Sequence, residues 1–142
     1  MPDAVEVLKR VPLFAALSER QLRKLSSKLK NRQFSPGTAV VREGSMGGVG
    51  FFILVSGDAT VSEDGRDVAK LGPGDHFGEL GLIAGRERTA TVTADATLDC
   101  LEMPVWDFRE LVERDGELGW KLLQHVTTVL LDGHSAASAV PS

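Results

Sequence analysis

Apolar positions along the chain change their period twice. Val5, Leu8 and Val11 recur at helical spacing over residues 3–11; Pro12 interrupts them, and Leu13-Phe14 read as an apolar plug docked on something larger. Ser18 followed by Glu19 and Gln21 predicts a capping box at the head of a helix over 19–30 that carries Leu22, Leu25 and Leu29. From Gln33 onward turn residues and short β-branched runs take over. Pro36-Gly37 predicts a type II turn, 38–41 a short strand, and the glycine-rich 44–48 a loop. Residues 51–55 predict a buried strand closed by Ser56-Gly57, with 59–62 pairing back on it and a hairpin turn at Glu63-Asp64-Gly65-Arg66. Val68, Leu71 and the Gly72-Pro73-Gly74-Asp75 turn continue the rhythm, and 90–94 and 97–102 alternate with period two. After Pro104 the helical period returns. Val105, Phe108, Leu111 and Val112 share one face, Asp115-Gly116 breaks it, and 117–131 carries Leu118, Leu122, Val126 and Leu130 in a row up to an Asp132-Gly133 stop.

Helices, then evenly spaced short strands, then helices predict an α+β fold: an antiparallel β jelly-roll barrel flanked by N-terminal helices and two C-terminal helices. The expected division is one domain over 1–133, with a helical bundle at 3–31, the β-barrel at 32–103 and C-terminal helices at 104–131. Residues 134–142 are small and polar, as in a flexible tail or linker.

Charge and composition narrow the partners. A net charge of −4 argues against nucleic acid, and Arg20, Arg23, Lys24, Lys28, Lys30 and Arg32 read as a solvated helix face. Cys100 stands alone in a strand-like run, where a small buried thiol and a reducing, cytoplasmic setting are expected. No apolar run has the length of a membrane helix. A cupin-type metal centre needs converging histidines, yet of His76, His125 and His134 only His76 falls among the barrel strands. Neither a metal nor an enzyme activity is expected.

The densest chemistry lies in GPGDHFGELGLIAGRERTATV, residues 72–92. Glu79 sits in a glycine-containing turn with apolar neighbours, and Arg88 follows nine residues later with Thr89 and Ala90. A guanidinium can give a phosphodiester two parallel charge-assisted hydrogen bonds. A carboxylate accepts from a sugar hydroxyl, and Gly78 permits close backbone approach. The pair suits a ligand with hydroxyls and a phosphate; the bland alternative is a Glu79–Arg88 salt bridge.

Phe77-Gly78-Glu79-Leu80, with Leu82, a turn at Ala84-Gly85 and Arg88-Thr89-Ala90-Thr91-Val92, resembles the cyclic nucleotide-binding domain family, which includes kinase regulatory domains and the bacterial catabolite activator. The resemblance runs from about Val11 to Leu131 and takes in Pro36-Gly37, Gly44, the run from Phe52 to Gly57, and Gly74-Asp75. It implies a sensor whose ligand site comprises Phe77, Gly78, Glu79, Leu80, Arg88, Thr89 and Ala90. Val68 and Leu71 would line the base side. The C-terminal helix would close over the base, with Trp120, His125, Thr127 and Thr128 as the residues that could cap it. Glu-Leu-Gly-Leu and Glu-Arg-Thr-Ala look closer to the catabolite activator type, which implies cAMP, with cGMP as the alternative because of Thr89. The second function is a family member that kept the fold, lost the ligand and serves as a protein interaction module. The catabolite activator type carries a helix-turn-helix after the sensor; no basic recognition helix follows here, so DNA binding by this chain is not expected. Leu122, Val126 and Leu130 offer a homodimer stripe, and an output module in a longer protein is equally compatible.

Overall fold

The computed structural model describes residues 3–45, 50–79, 81–84 and 87–132. Its N-terminal part is helical, as the spacing predicts. Helix α1 (Ala4–Arg10) is capped by the Asp3 carboxylate, which accepts from the Val5 N–H. The turn Pro12–Phe14 then buries Leu13 and Phe14. Helix α2 (Glu19–Ser26) starts with a true capping box: Ser18 Oγ accepts from Gln21 N–H at 3.2 Å, and Gln21 Oε1 accepts from Ser18 N–H at 2.9 Å.

This helix ends before residue 30. Ser27 turns its hydroxyl onto the Lys24 carbonyl, and Lys28 and Leu29 close tight turns on Leu25 and Ser26. Lys30 already belongs to strand β1 (Lys30–Phe34), paired with β8 (Leu98–Pro104) from Lys30 opposite Glu102 to Phe34 opposite Leu98. Lys30 and Arg32 are therefore strand residues and not part of a solvated helix face. Their partners are Asp107 and Glu102.

Among the described residues, eight strands form two four-stranded antiparallel sheets. One has the order β1, β8, β3 (Gly50–Ser56) and β6 (His76–Phe77). The other has β2 (Ala39–Val41), β7 (Thr91–Ala94), β4 (Ala59–Glu63) and β5 (Arg66–Leu71). This is the jelly roll, drawn as two sheets with a common core. Pro36-Gly37 makes its turn with Gly37 at φ +84° and a Thr38 N–H bond to the Ser35 carbonyl. Asp64 and Gly65, at φ +52° and +78°, form the tight link between β4 and β5.

The expected pairing of 59–62 back onto 51–55 is not what the structure contains. Strands β3 and β4 lie in different sheets, so the Ser56-Gly57 corner is a crossover. Gly57 has φ +90°, and a Cβ there would run into the backbone of Thr97 and Leu98. The corner packs against the other strand too closely for a side chain, and a glycine in this place marks a crossover as readily as a hairpin.

Strand β3 is buried on both faces. Phe52 and Leu54 point into the core between the sheets with Phe77, Val61, Val92, Leu98 and Cys100. Phe51 and Ile53 point the other way, into a second core with Phe14, Leu22, Leu25, Met103 and Leu118. That second core is roofed by α4 (Val105–Arg114) and α5 (Gly116–Leu131), with Phe108 and Leu122 buried beneath them. Leu123 and Leu130 on α5 stay exposed, so the apolar row seen in sequence is covered only in its first half. No described helix is long and apolar enough to cross a membrane. Gly133 and 134–142 lie outside the described residues.

Candidate functional site

The described part of 72–92 begins at the edge of β3, where β6 pairs with it, and ends in β7 of the other sheet. The Gly72-Pro73-Gly74-Asp75 turn is held by Gly72 N–H donating to Asp75 Oδ2 at 2.8 Å, and it docks on β3 through Leu54 N–H to the Asp75 carbonyl, 2.8 Å. Strand β6 then runs antiparallel to β3 and delivers Phe77 into the inter-sheet core. There it stacks on Phe52 with ring centroids 4.9 Å apart. Gly78 reverses the chain with φ +91°. A Cβ at Gly78 would fall against the Gly50 carbonyl oxygen and 2.9 Å from Arg88 Nη1. Only glycine fits there, and what approaches it is the Gly50 backbone, with the Arg88 side chain beside it.

The reversal folds Glu79 back over His76. His76 Nδ1 lies 2.9 Å from Glu79 Oε2, and since a carboxylate only accepts, Nδ1 carries the proton. Glu79 is 5% exposed. The short helix α3 (Gly81–Ala84) follows, its Leu82 N–H reaching the Glu79 carbonyl at 3.3 Å. Arg88 is 3% exposed and donates from Nη2 to the Gly50 carbonyl at 2.7 Å. Its backbone is clamped on both sides: Gly44 N–H donates to the Arg88 carbonyl at 2.8 Å, and Arg88 N–H to the Ser45 carbonyl at 3.1 Å. The partners identified for the two charges thus differ, His76 for the acid and Gly50 for the base.

Burial lowers the Arg88 pKa, and the charge of Glu102 opposes that shift. Glu102 is itself buried and pairs with Arg32. A guanidinium stays protonated through such a shift, so Arg88 presents a desolvated positive charge. Among the described residues no group of three or more His, Cys, Asp and Glu is placed to hold a metal ion. Cys100 is buried beside Asp99, and burial pushes its thiol up to about 12.

A model of the cyclic nucleotide-binding domain matches residues 31–115, more than half of the chain. The chain belongs to the cyclic nucleotide-binding domain family. It is similar to a cAMP-dependent protein kinase regulatory subunit of Mycosarcoma maydis, with 39% identity over 141 residues, 93% of this chain and 26% of the relative. It is also similar to a cGMP-dependent protein kinase of Toxoplasma gondii, with 38% identity over 109 residues, 77% of this chain and 10% of that one. Among solved structures, the regulatory domain of Toxoplasma gondii PKA in co-crystal with cAMP superposes with a TM-score of 0.68 at 32% identity, covering 76% of this chain and 42% of that one. The chain spans only a tenth to a quarter of the two kinase relatives' length.

Within this cyclic nucleotide-binding domain, Phe77, Gly78, Glu79, Arg88 and Ala90 are brought together at the β3 edge, with Ala90 buried and Thr89 exposed beside it. Leu80 lies outside the described residues. The base-side residues fare differently. Leu71 is buried in the inter-sheet core, but Val68, three residues earlier on β5, falls on the opposite face of the strand with Lys70 and is 49% exposed. Trp120 and Thr127 stand two residues before and five after Leu122, which at about 3.6 residues per turn is the opposite side of the helix from the one α5 buries. Trp120 is 61% exposed, and Thr127 and Thr128 are also exposed. His125 is half-buried on the same helix.

Other residues of the site are missed by sequence reasoning. Gly50 supplies the carbonyl for Arg88, and nothing in its local pattern marks it. Glu102 had a signal: in the alternation Leu98, Cys100, Glu102 a charge occupies a buried parity. His76, weighed only as a metal ligand, instead holds Glu79.

Proposed function

We propose that this domain is a cyclic nucleotide sensor with cAMP as its ligand. Arg88 takes the cyclic phosphate and Glu79 the ribose 2′-hydroxyl. The observation that carries this is the burial of one acid and one base at either end of α3, each presented by a backbone that tolerates little else. Relatives of both cyclic-nucleotide-dependent kinase types share the family, so the base is the finer part of the proposal; the co-crystal of a similar regulatory domain with cAMP supports the adenine choice.

Signal passes through α3. This helix packs on β3 and α4, and with α5 it lines an apolar groove of about 570 Å³ bounded by Leu82, Ile83, Phe108, Val112, Leu122 and Val126. Phosphate drawing the segment between Glu79 and Arg88 inward changes what α4 and α5 pack against. Ligand affinity then differs between the two helix positions, which is what makes the response allosteric. Residues 1–133 form the sensor unit in a cytoplasmic setting, and the exposed end of α5 is the surface through which an output module or a second copy engages.

Calorimetric titration of the purified chain with cAMP and cGMP tests the function. Saturable binding of both, tighter for cAMP, is expected. Tighter cGMP would reassign the base, and a folded chain that binds neither would leave only the ligand-free interaction module.

A further inference from the structure

Glu79 has three side-chain torsions, so a ribose hydroxyl would meet it in a single orientation only if something holds the carboxylate. The structure contains such a group on the same turn. Gly78 at φ +91° doubles the chain back, and residue 79 thereby lands on residue 76. His76 Nδ1–H donates to Oε2 at 2.9 Å, which leaves Oε1 to accept from another donor. The imidazole is in turn fixed. Its backbone pairs with Ile53 on β3, and its ring packs on Phe51 with centroids 5.8 Å apart. The His76 and Glu79 side chains are 25% and 7% exposed, so the pair sits at the site's edge with water largely kept from the carboxylate.

We propose that His76 is a positioning residue that orients Glu79 for the ligand's ribose. The role rests on the ribose assignment of Glu79 and goes beyond it. By fixing Oε2 before the ligand arrives, His76 removes the ordering cost that a free carboxylate would meet on binding. It contributes to ribonucleotide affinity without touching the ligand.

The test compares His76→Phe and His76→Asn with Glu79→Gln, each titrated with cAMP and with 2′-deoxy-cAMP. Phe keeps the packing on Phe51 and removes the donor; Asn places an amide N–H near the position of Nδ1. His76→Phe is expected to weaken cAMP binding roughly three- to tenfold, the value of about one hydrogen bond, and to leave 2′-deoxy-cAMP unchanged. His76→Asn is expected to recover most of the loss. Equal losses for both nucleotides, tighter cAMP binding by His76→Phe, or Asn no better than Phe would each overturn the positioning role. Should Glu79→Gln itself treat both ligands alike, the ribose assignment fails and this role falls with it. Should Glu79→Gln discriminate while His76→Phe does not, the positioning role alone is lost.

Discussion

At the scale of single residues the site depends on two side chains and one missing side chain. Arg88 is a buried guanidinium bonded to a main-chain carbonyl, so on the proposed reading it would meet a phosphate already desolvated and in place. Losing one bidentate charge-assisted pair weakens binding roughly tenfold to several-hundredfold, and Arg88→Ala is expected to show this for cAMP by calorimetry. Unchanged affinity would remove the phosphate from Arg88. Gly78 is the missing side chain. Gly78→Ala forces a non-glycine residue to φ +91° and drives a methyl against the Gly50 carbonyl and Arg88. Backbone strain of that kind costs about 1–3 kcal/mol before the clash is counted. Urea denaturation should show at least that loss, and the displaced Arg88 should bind cyclic nucleotide poorly even where the variant is folded. Sequence alone made Gly78 a place where backbone approaches closely. It could not say that the approaching groups are the Gly50 carbonyl and the Arg88 side chain, because those contacts reach residue 78 through space from residues 50 and 88.

At the scale of elements, the start of α2 and the break before α5 were the most legible parts of the chain. Ser18 and Gln21 cap α2 reciprocally, and this signal is local in sequence, within one turn. Asp115, at the break between α4 and α5, caps α5 by accepting from the Leu118 N–H at 3.1 Å. That backbone bond, with help from Lys24, holds the Asp115 carboxyl below its ordinary value. A carboxyl depressed in the folded state stabilises the fold above its unfolded pKa of about 3.9 and loses that contribution as pH falls through the folded value. Asp115→Asn keeps a capping oxygen without the titration. Its urea midpoint is expected to fall less than that of the parent between pH 5 and pH 3; parallel declines would deny the cap its electrostatic part. Boundaries were less legible where a strand took residues from a helix. Lys30 follows helical spacing but is claimed by pairing with Glu102, a partner 72 residues along the chain that no local window contains.

The whole molecule is joined through Phe14. Its ring meets Phe51 edge-on at 5.6 Å and Phe108 at 6.2 Å, so one residue of the N-terminal plug contacts both β3 and α4. Phe14→Ala leaves a void where helices and sheet converge. A loss of about 3–5 kcal/mol is expected in chemical denaturation, along with weaker coupling between nucleotide binding and movement of α5. A loss under about 1 kcal/mol would mean that the plug is peripheral. In the proposed mechanism α3 would report occupancy through the same region, since it rests on β3 and α4, next to the groove shared with α5.

The sequence by itself determined the order of elements, the turns, the caps and the pairing of Glu79 with Arg88 as the candidate chemistry. Each of these is encoded within a few residues, by periodicity, by a glycine or proline, or by motif spacing. Tertiary structure decided which strands are neighbours, which face of α5 is covered, and what stands behind each charge. It separated β3 from β4 and turned Trp120 and Thr127 to solvent. It also set His76 on Glu79, Gly50 on Arg88 and Arg32 on Glu102. The physical reason is that the strand neighbours and the Gly50–Arg88 and Arg32–Glu102 contacts join residues far apart in sequence, while His76 and Glu79, only three residues apart, meet because Gly78 reverses the chain at φ +91°.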